Sequence, residues 1–247
     1  MQHFTIVIPA YNVEQWAKRN IMSVITQEYE NFEVVYVNDC STDKTGDVVS
    51  ETLAHFDNPE NFTYIENLEN RKALRNIYDA VSRSKDNTVI VTLDGDDWLA
   101  SSHVLSLLND VYNSSDAWIT AGSYIDNSNG MVSSPNIHNG FWDGNIRRHV
   151  WTISHLRTFR KELFMNIDKN DMLDHDDNFY KFTFDQAMMF PMVEMSGSEH
   201  FYPINDVLYV YNRNNPLSVD RVHRAEQLRI ERDIRNREPY DRLSTLE

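Results

Sequence analysis

The fold is decided by residues 4–45, FTIVIPAYNVEQWAKRNIMSVITQEYENFEVVYVNDCSTDKT. Phe4–Pro9 is a short apolar, β-rich run stopped by Pro9, which reads as a buried strand. Asn12 follows as a helix N-cap with Gln15 as its capping-box partner. Val13, Trp16, Ala17, Ile21 and Val24 then recur on one face of an amphipathic helix. Glu33–Val37 is a second strand, and Ser41 or Thr42 caps a second helix with Val48, Val49, Thr52 and Leu53 on its inner face. The alternation continues outward. Phe62–Glu66, Thr88–Leu93 and Ala117–Ser123 read as strands, and helical patterns start at Ala73 and Val104. Strands without period-2 alternation suit a sheet covered on both faces. Four βα units with short links imply an α/β chain with a mostly parallel, Rossmann-like, doubly wound sheet flanked by helices. Ligands of such sheets lie at the carboxyl ends of the strands.

The second half is less regular. Residues 126–144 are dense in Asn, Ser and Gly and read as a long loop, a length usually tied to function. Trp151–Phe164 mixes helical and strand cues, Phe184–Met195 reads as a helix and Val207–Tyr211 as a short strand. From Arg213 onward the chain holds eight arginines interleaved with acids, the pattern of a charged helical tail. That tail suits packing on its own domain or on a second copy in a homo-oligomer.

Composition narrows the classes of function. Of 247 residues, 23 are Lys or Arg and 38 are Asp or Glu, a formal net charge of −15, which disfavours general binding to nucleic acid or anionic membranes. No apolar run reaches the length of a membrane span, and the single cysteine, Cys40, excludes an intrachain disulfide or a CxxC metal site. These features describe a cytoplasmic globular protein.

Three clusters fall at strand ends: Pro9-Ala10-Tyr11-Asn12, Asn38-Asp39-Cys40-Ser41-Thr42-Asp43 and Asp94-Gly95-Asp96-Asp97. Three carboxylates within four residues repel one another unless a cation joins them, and an all-oxygen set suits Mg²⁺ or Mn²⁺. The alternative is a solvated turn of N-capping acids. No GxGxxG or P-loop cradle occurs. Arg71, Lys72 and Arg75, at the start of the third helix, are the residues placed to meet an anion, unless they form a solvated face.

Strand-PAYN, VNDCSTD and DGDD, in this order and spacing, resemble the family 2 nucleotide-sugar glycosyltransferases of the GT-A fold. The likeness covers residues 3 to about 125, with TFDQAMMFPMVEM and LYVYNRNNPLS as further matches. It implies one domain over residues 1–212, with a nucleotide-sugar half (1–125) and an irregular acceptor-side half (126–212), followed by the tail (213–247). It implies that Pro9, Ala10, Tyr11 and Asn12 line a base and ribose pocket, and that Asp39 accepts from the base. Arg71, Lys72 and Arg75 would face base or diphosphate. Asp94 and Gly95 would adjoin ribose and metal, and Asp96 would ligate Mn²⁺ or Mg²⁺, with His223 as a third ligand. The implied reaction moves a sugar with inversion from a nucleoside-diphosphate donor, UDP being the commonest in the family, to a glycan or other hydroxyl-bearing acceptor. Its general base maps to Asp185, with Phe184 where the family more often has an acid. Asp174, Asp176 and Asp177 are a reserve for that base. His155 and Arg157 would be an acceptor-side basic pair, and Arg147, Arg148, Arg157 and Arg160 a local basic patch. Trp142 and Trp151 would stack on sugars or fill the core. An inactive binding module and a nucleotidyltransferase are the competing readings; the latter lacks its Gly-rich basic loop here.

Overall fold

The computed structural model describes residues 1–56, 59–138, 140–216 and 222–246. Its first half alternates β1 (His3–Ala10), α1 (Ala17–Ile25), β2 (Phe32–Asn38), α2 (Thr45–Ala54), β3 (Phe62–Glu66), α3 (Ala73–Arg83) and β4 (Thr88–Thr92). After it come β5 (Trp98–Leu99), α4 (Val104–Ser114), β6 (Ile119–Asp126) and β7 (Val132–Ser133). The chain then forms β8 (Arg157–Arg160), α5 (Lys161–Met165), α6 (Phe184–His200), β9 (Phe201–Tyr211) and α7 (Arg224–Asn236).

Among the described residues these strands make one nine-stranded sheet in the order β3-β2-β1-β4-β8-β6-β9-β5, with β7 on β6. β3, β2, β1 and β4 are parallel neighbours, as the alternating pattern requires. β8 is antiparallel to both β4 and β6, so it is wedged between two strands that run the same way. The sheet is therefore mixed on this side, and the strand responsible lies within the segment of mixed cues, which resolves into β8 followed by α5.

Period-2 geometry is preserved in β1 although residues 6–9 are all apolar and both faces are buried. Phe4, Ile6 and Ile8 enter the core beneath α1, α2 and α4, whereas Val7 enters the opposite core with Leu74, Ile77 and the residues of α6. The tail packs on its own domain. Ile230 and Ile234 of α7 are buried in the second core. Arg147 donates to the Ile234 carbonyl at 2.9 Å and is paired with Glu194 of α6 at 2.7 Å. No helix among the described residues is long and apolar enough to cross a membrane.

Asn12 is not the cap of the first helix. It has φ +53°, α1 begins at Ala17, and the Asn12 Oδ1 accepts the Thr42 N–H at 2.8 Å. The second loop answers in kind: Ser41 accepts from Asn12 N–H, Thr45 from Val13 N–H and Asp43 from Glu14 N–H, at 2.9, 2.9 and 3.1 Å. The amides ahead of the first helix are thus satisfied by the neighbouring βα loop rather than by a local capping box. Neither Ser41 nor Thr42 caps α2; Asp43 accepts the Thr45 N–H at 3.0 Å instead.

Candidate active site

The carboxyl ends of β1, β2 and β4 converge, as the sheet order demands. Asp39 is 3% exposed, and its carboxylate accepts the backbone N–H groups of Arg71 and Lys72 and the Asn67 side chain, each at 2.8 Å. It fixes the loop leading into α3. A carboxylate offers about four lone-pair sites, so capacity remains for a ligand. Lys72, at φ +68°, reaches over the ring of the exposed Tyr11 with Nζ 5.9 Å from its centroid. Arg71 and Arg75 both pair with Asp79, at 2.9 and 3.1 Å. Of the three basic side chains, Lys72 is the one lying over the Tyr11 ring.

Pro9 and Ala10 are buried at the end of β1, and Gly95 packs directly on them. A Cβ at Gly95 would lie 2.6 Å from the Ala10 Cβ, and the Gly95 N–H donates to the Pro9 carbonyl at 3.1 Å. Only glycine permits the acidic turn to approach β1 so closely.

The three acids of that turn differ in their surroundings. Asp97 is 1% exposed; it accepts from the Tyr209 hydroxyl and from the Asn212 N–H at 2.6 Å, tying the turn to β9. Asp96 is half-buried and accepts from the Asn215 side chain at 2.7 Å, while its carbonyl accepts from Asn212 at 3.0 Å. Asp94 is half-buried, and its carbonyl accepts from Asn20 at 3.0 Å. Burial raises the pKa of all three. For Asp94 it is pushed up to about 6, chiefly by burial, with Arg157 opposing and Asp96 and Asp185 adding to the rise. Such crowding of acids favours a bound divalent cation. Asp94, Asp97 and His155 offer atoms within 4.8 Å of one another. Asp97 already serves Tyr209 and Asn212, and His155 Nδ1 faces Arg157 at 3.2 Å, which leaves Asp94 as the member of this group open to a cation; Asp96, two residues on, lies outside the group with its carboxylate on Asn215.

Asp185 lies in the first turn of α6, 25% exposed, and accepts from Trp151 Nε1 at 3.0 Å. Arg157, 2% exposed, stands between the two acidic centres: its guanidinium is 3.7 Å from Asp94 and 3.8 Å from Asp185. The strand register explains this, because Arg157 pairs with Thr92 at the end of β4, two residues before Asp94.

Several expected placements do not occur. His155 is buried, its pKa is held well below the usual imidazole range by burial and by Arg157, and it stacks on Tyr209 at 4.3 Å. It and Arg157 therefore form no open basic pair. The basic patch fails with it: Arg147 is buried against Glu194 and Arg160 bonds the Ala117 carbonyl at 3.0 Å, leaving Arg148 exposed. His223 stacks on Phe182 at 4.8 Å and belongs to neither group of clustered ligands among the described residues. Asp174 accepts from Asp176 and Asn178 in a turn whose cavity is closed by Arg229 and Asp233 of α7, apart from Arg157 and Asp94. Trp142 packs on Phe201 rather than on the cleft. The sequence assigned no role to Asn20, Tyr209, Asn212 and Asn215, which hold the acidic turn; the NRNN run after β9 is a signal for Asn212 and Asn215, while Asn20 lies in α1 and Tyr209 in β9.

A parallel βα half carrying an acidic turn after β4, closed by the antiparallel strand β8 and by α6, is the arrangement of a GT-A fold. The chain belongs to glycosyl transferase family 2, whose pattern matches residues 5–179. Among curated proteins it is similar to the glycosyltransferase GlyA of Streptococcus pneumoniae, 31% identical over 129 residues, which are 51% of this chain and 18% of that protein. GlyG of the same organism is 24% identical over 230 residues, covering 85% of this chain and 71% of that one. Among solved structures, Staphylococcus aureus TarS 1–349 in complex with UDP aligns with a TM-score of 0.66 at 17% identity, over 94% of this chain and 65% of that chain. The mannosyltransferase PcManGT of Pyrobaculum calidifontis, in complex with GDP-Man and Mn²⁺, gives 0.65 at 18% identity, over 96% and 66%. The chain thus spans less than a fifth of GlyA and about two thirds of each of these solved chains.

Proposed function

We propose that this chain is a metal-dependent, inverting glycosyltransferase that moves a sugar from a nucleoside-diphosphate donor to an acceptor hydroxyl. The observation that carries the reading is the convergence of two separate acidic centres, Asp94 of the acidic turn on one side and Asp185 on the other, with Arg157 between them. The similar structures hold UDP-GlcNAc or UDP in TarS, and GDP-Man with Mn²⁺ in PcManGT, which supports a nucleotide-sugar donor and a divalent cation.

In this reading Pro9, Ala10, Tyr11 and Asn12 form one wall of the donor pocket, and Asp39 with the Arg71–Lys72 backbone forms the other. Lys72 over Tyr11 would meet the diphosphate, and Arg71 and Arg75 would have to leave Asp79 to do so. Mn²⁺ or Mg²⁺ at Asp94 and Asp96, beside Gly95, would neutralise charge on the leaving diphosphate. Asp185, oriented by Trp151, takes the proton of the acceptor hydroxyl as its oxygen bonds the anomeric carbon and the bond to the diphosphate breaks. One displacement inverts that carbon. The place of His223 as a third ligand would require it to leave Phe182. A single half-buried thiol, Cys40, suits a reducing cytoplasm.

The test is a thermal-shift panel of UDP, GDP, CDP, TDP and ADP, each with Mn²⁺ and with EDTA. A nucleotide at about 100 times its Kd adds about 2.7 kcal/mol to stability, so one base should raise the melting temperature with Mn²⁺ alone. Asp96→Ala should abolish that shift; a shift that survives in this variant, or in EDTA, sinks the metal assignment.

A further inference from the structure

We infer that Arg157 is a positioning residue for the transfer: one buried cation that fixes the base Asp185 relative to the donor-side carboxylate Asp94. The inference rests on the reading of Asp185 as the base and goes beyond it.

The geometry has three unusual features. Arg157 is 2% exposed, yet both of its carboxylate contacts, at 3.7 and 3.8 Å, lie beyond hydrogen-bonding reach. Among the described residues its Nε has no hydrogen-bond partner, and its one short side-chain contact is with a neutral acceptor, Nη2 to His155 Nδ1 at 3.2 Å. A buried guanidinium engaged for structural reasons alone normally forms close, bidentate bonds with its acid, as Arg147 does with Glu194 at 2.7 Å through both Nε and Nη2. Arg157 instead stands equally far from two acids, one on each side of the reacting centre.

The surroundings hold it there. His155 is clasped by Tyr209 and Tyr211, with ring centroids at 4.3 and 5.1 Å. Tyr209 donates in turn to Asp97, so His155 and the acidic turn share one support. The ring of Phe184, beside Asp185, covers the guanidinium with its centroid 5.5 Å from Cζ. Phe184 thus places a hydrophobic cover over the cation. Removal of the cation would leave Asp94 and Asp185 repelling each other across the cleft, and Asp185 held by Trp151 alone.

The experiment follows donor hydrolysis, which needs no acceptor, with UDP-GlcNAc, UDP-glucose and GDP-mannose in Mn²⁺, alongside nucleotide affinity by calorimetry. Arg157→Met should lower kcat by about 10²-fold, the cost of misplacing a reacting group, while Kd for the nucleotide stays within about threefold. Arg157→Lys, which keeps the charge but not the fork, should recover kcat to within about tenfold of the parent. If Arg157→Met does not fold, Arg157→Gln takes its place. A crystal structure of the uncharged variant should show the Asp185 carboxylate turned from Trp151 Nε1. The inference is overturned by an uncharged variant with parental kcat, by one in which Asp185 has not moved, or by a Lys variant as impaired as the uncharged one. Asp185→Asn, measured with Arg157 intact, separates the two levels: parental turnover there removes the base reading itself.

Discussion

The two sides of the cleft are held by different physics. On the donor side, neighbouring βα loops exchange short hydrogen bonds between polar side chains and backbone amides: Asn12 with Thr42, Ser41 with Asn12, and Asp39 with Arg71 and Lys72. On the acceptor side, α6 and β8 are fixed by buried arginines and their acids, Arg147 with Glu194 and Arg157 with Asp94 and Asp185. The partners of the first arrangement lie 29–33 positions apart, in successive βα units. Those of the second lie 28–63 positions apart and pair charges rather than backbone amides.

Four perturbations bear on this contrast. The largest effect is expected from Asp185→Asn, a fall of about 10²–10⁴-fold in transfer or donor hydrolysis with nucleotide affinity retained. If affinity falls with it, the two sides are not separable. Glu194→Ala leaves Arg147 buried without its partner and should cost about 3–5 kcal/mol of global stability, read by denaturant unfolding. A cost below about 1 kcal/mol, the range of a surface pair, would show that the acceptor side does not depend on this ion pair.

Asp94→Asn tests the acidic turn through pH. The folded pKa of Asp94, raised to about 6, exceeds that of the unfolded chain. Wild type therefore carries a penalty that is absent well below pH 4, grows as the unfolded state ionises first, and is complete above about pH 6. In EDTA the melting temperature of Asp94→Asn relative to wild type should climb across that window by the equivalent of ~2 kcal/mol, screening at the half-buried carboxylate included. A flat difference would mean that Asp94 is ionised throughout. The smallest change is Asn12→Gly, which keeps the positive φ and deletes the side-chain acceptor of the Thr42 N–H and hydroxyl; about 1 kcal/mol is expected from thermal unfolding, together with weaker nucleotide binding. Unchanged nucleotide binding would uncouple the loop exchange from the donor pocket.

The donor side is legible in the sequence because its partners lie in successive βα units. Alternating apolar runs and turn residues locate β1 to β4, and the strand-end rule by itself brings Asp39 and Asp94 to Asp97 together. Asn12 shows the limit: the residue type was right for satisfying amides, but the amide it serves is 30 positions on, at Thr42. β8 was hidden because four residues, RTFR, carry too little pattern to separate strand from helix. Arg157 accordingly read as a surface cation. Its burial follows from pairing with Thr92 and Ala121, a register that no local signal contains. The interleaved charges of the tail likewise concealed Ile230 and Ile234, the two positions that bury α7.

The wedge of β8 between β4 and β6 also has a consequence during synthesis. β4 emerges with one edge unpaired, and its partner Arg157 lies 65 residues after Thr92. At ribosomal speeds of about 5–20 residues per second, that edge waits about 3–13 s for its strand. An open parallel-sheet edge is a template for intermolecular pairing. The nascent donor half is thus the vulnerable species, and slow translation between residues 92 and 157 would prolong its exposure rather than help it fold.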